Sequence, residues 1–393
     1  MRKLARVAML LVCLTLILTT FSAATAETLG FGFVNNKNVA LRRGIGGKTI
    51  VRLPQDTCVW IRDSKTDSKG VLWYEINAGL HIDYSNVDYT GWMKAEFIDA
   101  GDAIWHGART VSASTTGMII LNDDGTVAAA GTGIHSRDDG GWTEFRNWMN
   151  GLCDIRQTGF CTLGLEYYAL DKDGAYHANS TPYGILGKHR LRLVAGDSWV
   201  FGISTDGRLL RGEEEVSLNW IYPRNPGPED LLRVTDIQTN GCRCMLLMDD
   251  GTLFVEEDES GDTEADWANW TDVASLEASA CMFTPGTREY RAAYAAVRKD
   301  GTVLAAPEEL NGIIGNWTGM KKVVIGDRWV LGLKQDGTVI AAGLAGTTPP
   351  DLSGWTDITD LGTGYDYCVG VRADGTVVFA GDYIFMREGH SRK

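Results

Sequence analysis

Apolar and polar residues alternate in short runs along most of the chain, and Gly, Asp and Asn separate the runs. A period of two over four to eight residues predicts half-buried β-strands. From residue 101 onward one frame recurs: L-N-D-D-G-T-V (121–127), L-D-K-D-G-A-Y (170–176), I-S-T-D-G-R-L (203–209), L-M-D-D-G-T-L (247–253), V-R-K-D-G-T-V (297–303), L-K-Q-D-G-T-V (333–339) and V-R-A-D-G-T-V (371–377). Its glycines, 125, 174, 207, 251, 301, 337 and 375, lie 49, 33, 44, 50, 36 and 38 residues apart. Asp-Gly tolerates positive φ, so each is expected to close a two-residue hairpin. A Trp stands upstream of several turns, at 105, 148, 270, 317 and 355, most clearly in W-T-D-V-A-S-L (270–276), W-T-G-M-K-K-V (317–323) and W-T-D-I-T-D-L (355–361). Repeats three and four lack it, and repeats two and five carry insertions. One hairpin cannot bury its face, whereas sheets arranged radially can. Seven units of about 42 residues suit a seven-bladed β-propeller; an open solenoid would use shorter, more regular coils.

Residues 27–100 have a different pattern. The run N-V-A-L-R-R-G-I-G-G-K-T-I-V-R-L-P-Q-D-T-C-V-W-I (38–61) reads as strand, Gly-rich loop, strand, turn and strand, and Trp73-Tyr74, Gly91-Trp92-Met93 and Phe97-Ile98 continue it. Several short strands within about 70 residues predict a small closed barrel. Trp73 and Trp92 serve there either as core fillers or as groove residues.

Residues 1–26 read as a secretory leader. Arg2, Lys3 and Arg6 precede the apolar run Val7–Phe21, and Ala24-Thr25-Ala26 offers a small-residue cleavage site. The run is short of the roughly 20 residues that span a bilayer, so no membrane span is expected after cleavage. Removing the leader changes the formal charge from -14 to -17 (three positive charges lost). Residues 27–100 hold nine basic and nine acidic residues, so the whole excess falls on residues 101–393. That surface repels phosphate backbones, and nucleic acid is not an expected partner. Seven Cys remain, with Cys242-x-Cys244 the only tight pair and no further ligand at metal spacing; neither a metal nor a cofactor is expected.

The 39–98 segment resembles the bacterial SH3-like family. The family pattern appears as Val39–Arg42, Ile50–Val59, Trp73-Tyr74 and Gly91–Ile98, with Asp56 where Gly is usual and a longer insert between Gly79 and Tyr89. The resemblance implies a module that docks onto cell-wall peptide or glycan, or a spacer. Residues 105–381 resemble the RCC1 (regulator of chromosome condensation) family in its secreted bacterial form, most fully over Trp317–Gly343 and Trp355–Gly381. This resemblance implies the propeller. It does not carry over nucleotide exchange or chromatin binding, which an exported acidic chain contradicts.

The position eight residues before the turn glycine is Trp199, Trp329 and Tyr367 in repeats three, six and seven, with Asp197, Asp327 and Asp366 beside them. The resemblance puts this position near the channel mouth, where the innermost strand begins. An aromatic ring with wet, exposed faces is the expected ligand site for a glycan or protein; the alternative is that these residues plug the channel. The run E-E-D-E-S-G-D-T-E-A-D (256–266) lacks calcium-loop spacing and reads as a solvated loop, as does Glu213-Glu214-Glu215. No H-E-x-x-H, G-x-S-x-G or phosphate loop is present, and no carboxylate pair is singled out for glycoside chemistry.

The chain is therefore expected to be all-β: a leader (1–26), an SH3-like barrel (27–100) and a seven-bladed propeller (101–393). It is expected to be a monomeric, non-enzymatic secreted or envelope-associated protein that binds an extracellular or cell-wall protein or glycan. A secreted inhibitor of an extracellular enzyme and a glycan-active enzyme are the alternatives.

Overall fold

The computed structural model describes residues 30–55, 57–82, 85–100, 107–114, 117–131, 152–161, 166–178, 186–196, 200–212, 214–215, 220–240, 243–256, 265–282, 290–365 and 367–381. Within them the chain is all-β, with many small antiparallel sheets. Residues 30–100 form one seven-stranded antiparallel sheet whose long hairpin joins Leu72–Ile82 to Ser85–Lys94. Its core holds Val34, Leu41, Leu53, Val59, Ile61, Ile76 and Met93. Trp73 and Trp92 are both buried, which favours core filling. Trp73 Nε1 donates to Asp67 Oδ2, and the Lys65 ammonium lies 5.0 Å from the Trp92 ring.

Seven further sheets follow, five of three strands and two of four. The first strand of each is an inner strand: Ala108–Ala113, Ile155–Cys161, Leu191–Gly196, Val234–Thr239, Val273–Met282, Met320–Ile325 and Ile358–Thr363. Each inner strand packs on that of the next sheet, and the last packs on the first. The arrangement is that of a β-propeller.

The Asp-Gly turns differ from the expected two-residue hairpin. In the first, Gly125 N–H donates to the Asn122 carbonyl (3.0 Å), and Asn122 N–H donates to the Thr126 carbonyl (2.9 Å). The same pair of bonds recurs at all seven turns, and the glycine alone carries positive φ, between +78° and +92°. This is a three-residue loop, a type I turn closed by a left-handed glycine. The Thr after Gly has its own role: Asp124 Oδ1 accepts from both the backbone N–H and the hydroxyl of Thr126, and the Asp250, Asp300, Asp336 and Asp374 turns repeat this.

The turn glycine also joins neighbouring sheets. The carbonyl of Gly125 accepts from Ile155 N–H (3.0 Å), that of Gly174 from Leu191 (2.8 Å), and that of Gly337 from Ile358 (2.9 Å). The last bond of the series, Ala108 N–H to the Gly375 carbonyl (3.1 Å), runs from the first sheet to the seventh. A side chain at Gly375 would meet the backbone of Gly107 at 2.8 Å, so close approach as well as φ demands glycine.

The Trp signature packs within its own sheet. A Cβ at Gly332 would strike the Trp317 ring, and one at Gly370 the Trp355 ring. Between each Trp and its inner strand the backbone passes through a left-handed residue: Asp272, Gly319 and Asp357, with φ of +56°, +70° and +58°. In the second repeat, buried Leu152 stands three residues before the inner strand, with Asp154 as the left-handed residue; that position does not belong to Trp148.

The N-terminal sheet is not a free appendage. Trp60 is buried in one cluster with Val111, Ile120, Val369 and Phe379 of the first and seventh sheets, and Phe33 packs on its edge. The Trp60 and Phe379 rings meet edge-on at 6.0 Å. The N-terminal sheet therefore covers the seam where the ring of sheets closes.

Candidate functional site

The aromatic position anticipated at a wet channel mouth is elsewhere. Trp329 and Tyr367 begin second strands, Trp329–Lys334 and Tyr367–Arg372, rather than inner strands. Trp329 is only 5% exposed and packs with Val324, Leu352, Trp355 and Leu361 between the sixth and seventh sheets. Tyr367 is 0% exposed and lies in the seam cluster with Val111 and Met118; its hydroxyl donates to the carbonyls of Ser114 (3.1 Å) and Gly117 (2.8 Å). Asp327 is also buried. The expectation of exposed ring faces fails for both described aromatics because neighbouring sheets press on the side chains of this position. Trp199, Asp197 and Asp366 lie outside the described residues, as do Cys242 and most of the 256–266 run. Tyr367→Phe is expected to cost about 1–2 kcal/mol, since the Ser114 carbonyl loses its donor; equilibrium urea unfolding checks it.

A second constellation lies inside the ring. Each inner strand carries a β-bulge near its start, and the bulges align the seven strands. The residue after each bulge is Thr110, Gln157, Leu193, Asp236, Ser275, Lys322 or Asp360. Two residues further on stand Ser112, Gly159, Ala195, Gln238, Glu277, Val324 and Gly362. The second of these tiers, together with Gln157, Asp236 and Lys322 of the first, lines a cavity of about 250 Å³.

Side chains from these tiers reach from one strand to the next. Ser112 Oγ donates to the Thr158 carbonyl (2.9 Å), and Gln157 bridges to both backbone groups of Val194. Glu277 Oε1 accepts from Ile325 N–H (3.3 Å). Lys322 Nζ donates to Asp360 Oδ1 (2.6 Å) and to the Leu361 carbonyl (3.3 Å). Asp360 Oδ2 in turn accepts from Val111 N–H (2.9 Å), which carries the network across the seam to the first sheet. Glycine at 159 and 362 admits close neighbours: a Cβ at Gly159 would strike the Tyr168 ring, and one at Gly362 would strike Ala113.

Lys322 borders the cavity with its side chain 32% exposed, and Asp236 and Glu277 are half-buried beside it. Burial pushes the Glu277 carboxyl up to about 7, against the opposing pull of the Lys322 ammonium. Burial likewise raises Asp236 to about 6, while hydrogen bonds from Gln238 and from Ile237 N–H work the other way. For Lys322, burial works against the charged form, but Asp360, then Glu277 and Asp236, hold it above the ordinary lysine value. The arrangement holds one strong cation–carboxylate pair and two further carboxylates that are reluctant to ionise.

Sequence reading singled out no carboxylate pair; the structure brings Asp236 and Glu277 into one cavity with Lys322. The signal was present as a charged residue in a strand otherwise fit for burial, in V-T-D-I, M-K-K-V and I-T-D-L (234–237, 320–323, 358–361). Among the described residues no group of three or more His, Cys, Asp and Glu could hold a metal ion. Cys244 and Cys368 are buried free thiols, both raised by burial, Cys368 to about 12.

No family model matches this chain, and no curated protein matches it. It is similar to several solved structures. The ectodomain of the receptor kinase CR4 from Physcomitrella patens is 11% identical with a TM-score of 0.42, over 67% of this chain and 70% of that one. Prp20p from Saccharomyces cerevisiae is 13% identical with a TM-score of 0.39, over 69% and 81%. BamB from Moraxella catarrhalis is 12% identical with a TM-score of 0.36, over 85% and 99%. At these scores the likenesses carry no argument about activity or partners, and the propeller assignment rests on the sheets themselves.

Proposed function

We propose that this chain is a secreted, non-catalytic binding protein, an RCC1-like propeller of seven blades whose SH3-like N-terminal domain docks on the cell envelope. The observation that carries the docking role is where apolar surface remains. Of the four large hydrophobic side chains exposed among the described residues, three belong to the N-terminal segment: Ile45 in a turn, and Ile50 and Leu72 on strands of its sheet. Exposed apolar side chains mark an interaction surface where they gather into one patch, which is the arrangement that docking requires of these three. The balanced charge of residues 27–100 supports the same role, because it spares this domain the repulsion that anionic wall polymers exert on the acidic remainder. The Trp60–Phe379 contact makes the domain a fixed foot for the propeller rather than a tethered one.

The test is co-sedimentation of the full-length mature chain with purified cell wall. The unaltered protein is expected in the pellet, and a triple variant, Ile45→Ser, Ile50→Ser and Leu72→Ser, in the supernatant. Equal sedimentation of the two would remove the docking role from this domain. An unaltered chain that stays in the supernatant would remove wall docking altogether.

A further inference from the structure

The channel cavity has an unbalanced account of charge. Among the described residues two carboxylates, Asp236 and Glu277, line it with one cation, Lys322, which Asp360 already pairs. Asp360 is fully engaged, one oxygen on Lys322 Nζ and the other on Val111 N–H. Among the described residues Asp236 meets only Ile237 N–H and the Gln238 amide of its own strand. Glu277 Oε1 takes one long bond from Ile325 N–H, and its other oxygen has no donor among the described residues. Neither Asp236 nor Glu277 has a cation within salt-bridge reach there, yet both line the same cavity. A carboxylate drawn partly out of water without a counter-charge is costly unless a partner arrives.

Size and lining narrow the partner. A cavity of about 250 Å³ falls just below the range of drug-sized pockets, so it takes a small molecule. Ser112 and Thr158 also line the cavity, with their hydroxyl oxygens 3.2 Å apart, while the Phe160 ring packs on Tyr167. An acidic lining with hydroxyl groups in the same cavity suits a cationic head with a short stem.

We infer that the propeller channel is a binding site for a small organic cation, an alkylammonium or guanidinium compound, whose charged head sits between Asp236 and Glu277. Lys322, held by its pair with Asp360, lines the same cavity. The bound head supplies the donors that Glu277 lacks. When the channel is empty, protons take the place of the ligand on these two carboxylates, so binding near pH 6.5 displaces them. This site is separate from the envelope-docking surface, and either can fail without the other.

Calorimetric titration of the full mature chain tests the inference, with ethanolamine, putrescine and agmatine as probes at about 0.15 M salt, where surface charges are screened. At least one probe is expected to bind saturably, while 1,4-butanediol and succinate do not. Repeating the titration at pH 6.5 in buffers of different ionisation enthalpy should show protons released on binding. Glu277→Gln should weaken binding at least tenfold, whereas Glu309→Gln, on an exposed ion pair with Arg291, should not. Absence of saturable binding by all three amines overturns the inference. So does binding that survives Glu277→Gln, or that succinate or butanediol matches.

Discussion

Lys322→Met should destabilise the protein far more at pH 8 than at pH 5. Lys322 is the cation of the channel cluster among the described residues, and its removal leaves Asp360 without the ammonium that it pairs with. Breaking one side of a buried pair costs about 3–5 kcal/mol. The same substitution also withdraws the charge that helps Glu277 and Asp236 to ionise. The sign of the pH effect follows from the raised values of these two groups. A carboxyl held above its unfolded value binds more protons in the folded state, so its contribution is fully present below about pH 4 and is lost as pH rises through about 6 and about 7. Without Lys322 both groups titrate higher still, and the loss at pH 8 deepens. Urea unfolding of the parent and the variant at the two pH values measures the difference; equal losses at pH 5 and pH 8 would show that the four charges do not act as one cluster.

Trp329→Ala is expected to cost about 3–5 kcal/mol of folding, the usual toll for emptying a core of an indole ring. The ring is almost fully enclosed between the sixth and seventh sheets, against Leu352 and Trp355, and the Arg328 guanidinium lies 5.8 Å from its centroid. A residue on a wet rim would behave differently, since truncating it would leave the thermal midpoint nearly unchanged. A midpoint lowered by several degrees in differential scanning calorimetry supports packing; an unchanged midpoint would return Trp329 to the surface.

These two residues also mark where sequence reading worked and where it stopped. The Asp-Gly glycines announced the sheets because their requirement is local: a positive φ and a close backbone neighbour. Trp317 and Trp355 announced the inner strands for a similar reason, as each covers a glycine in its own sheet. The Asp-Gly-Thr loop was misjudged by one residue because the two hairpin types share their dipeptide and differ in which carbonyl the glycine N–H reaches. The direction of the Trp329 and Tyr367 rings was not legible, since repeat register places a residue at a height along the strand without saying which neighbour covers it. The channel charges were written in the inner strands as Asp236, Glu277, Lys322 and Asp360, but each stands alone in its repeat. Only closure of the ring brings four singletons from four repeats together, and the insertion in the fifth repeat hid the register of Glu277.

Closure of the ring is thus the claim on which the channel, the charge cluster and the covered seam all depend. The most direct test is a spin-label distance between Asp123→Cys and Asp374→Cys, two exposed turn positions in the first and seventh sheets, with the exposed Cys153 replaced by Ser. Adjacent packed sheets lie about 10 Å apart, so a closed ring predicts a short distance on that order plus the label tethers. An open stack of seven sheets would hold the same two turns roughly 60 Å apart at that spacing, and such a distance would contradict the account.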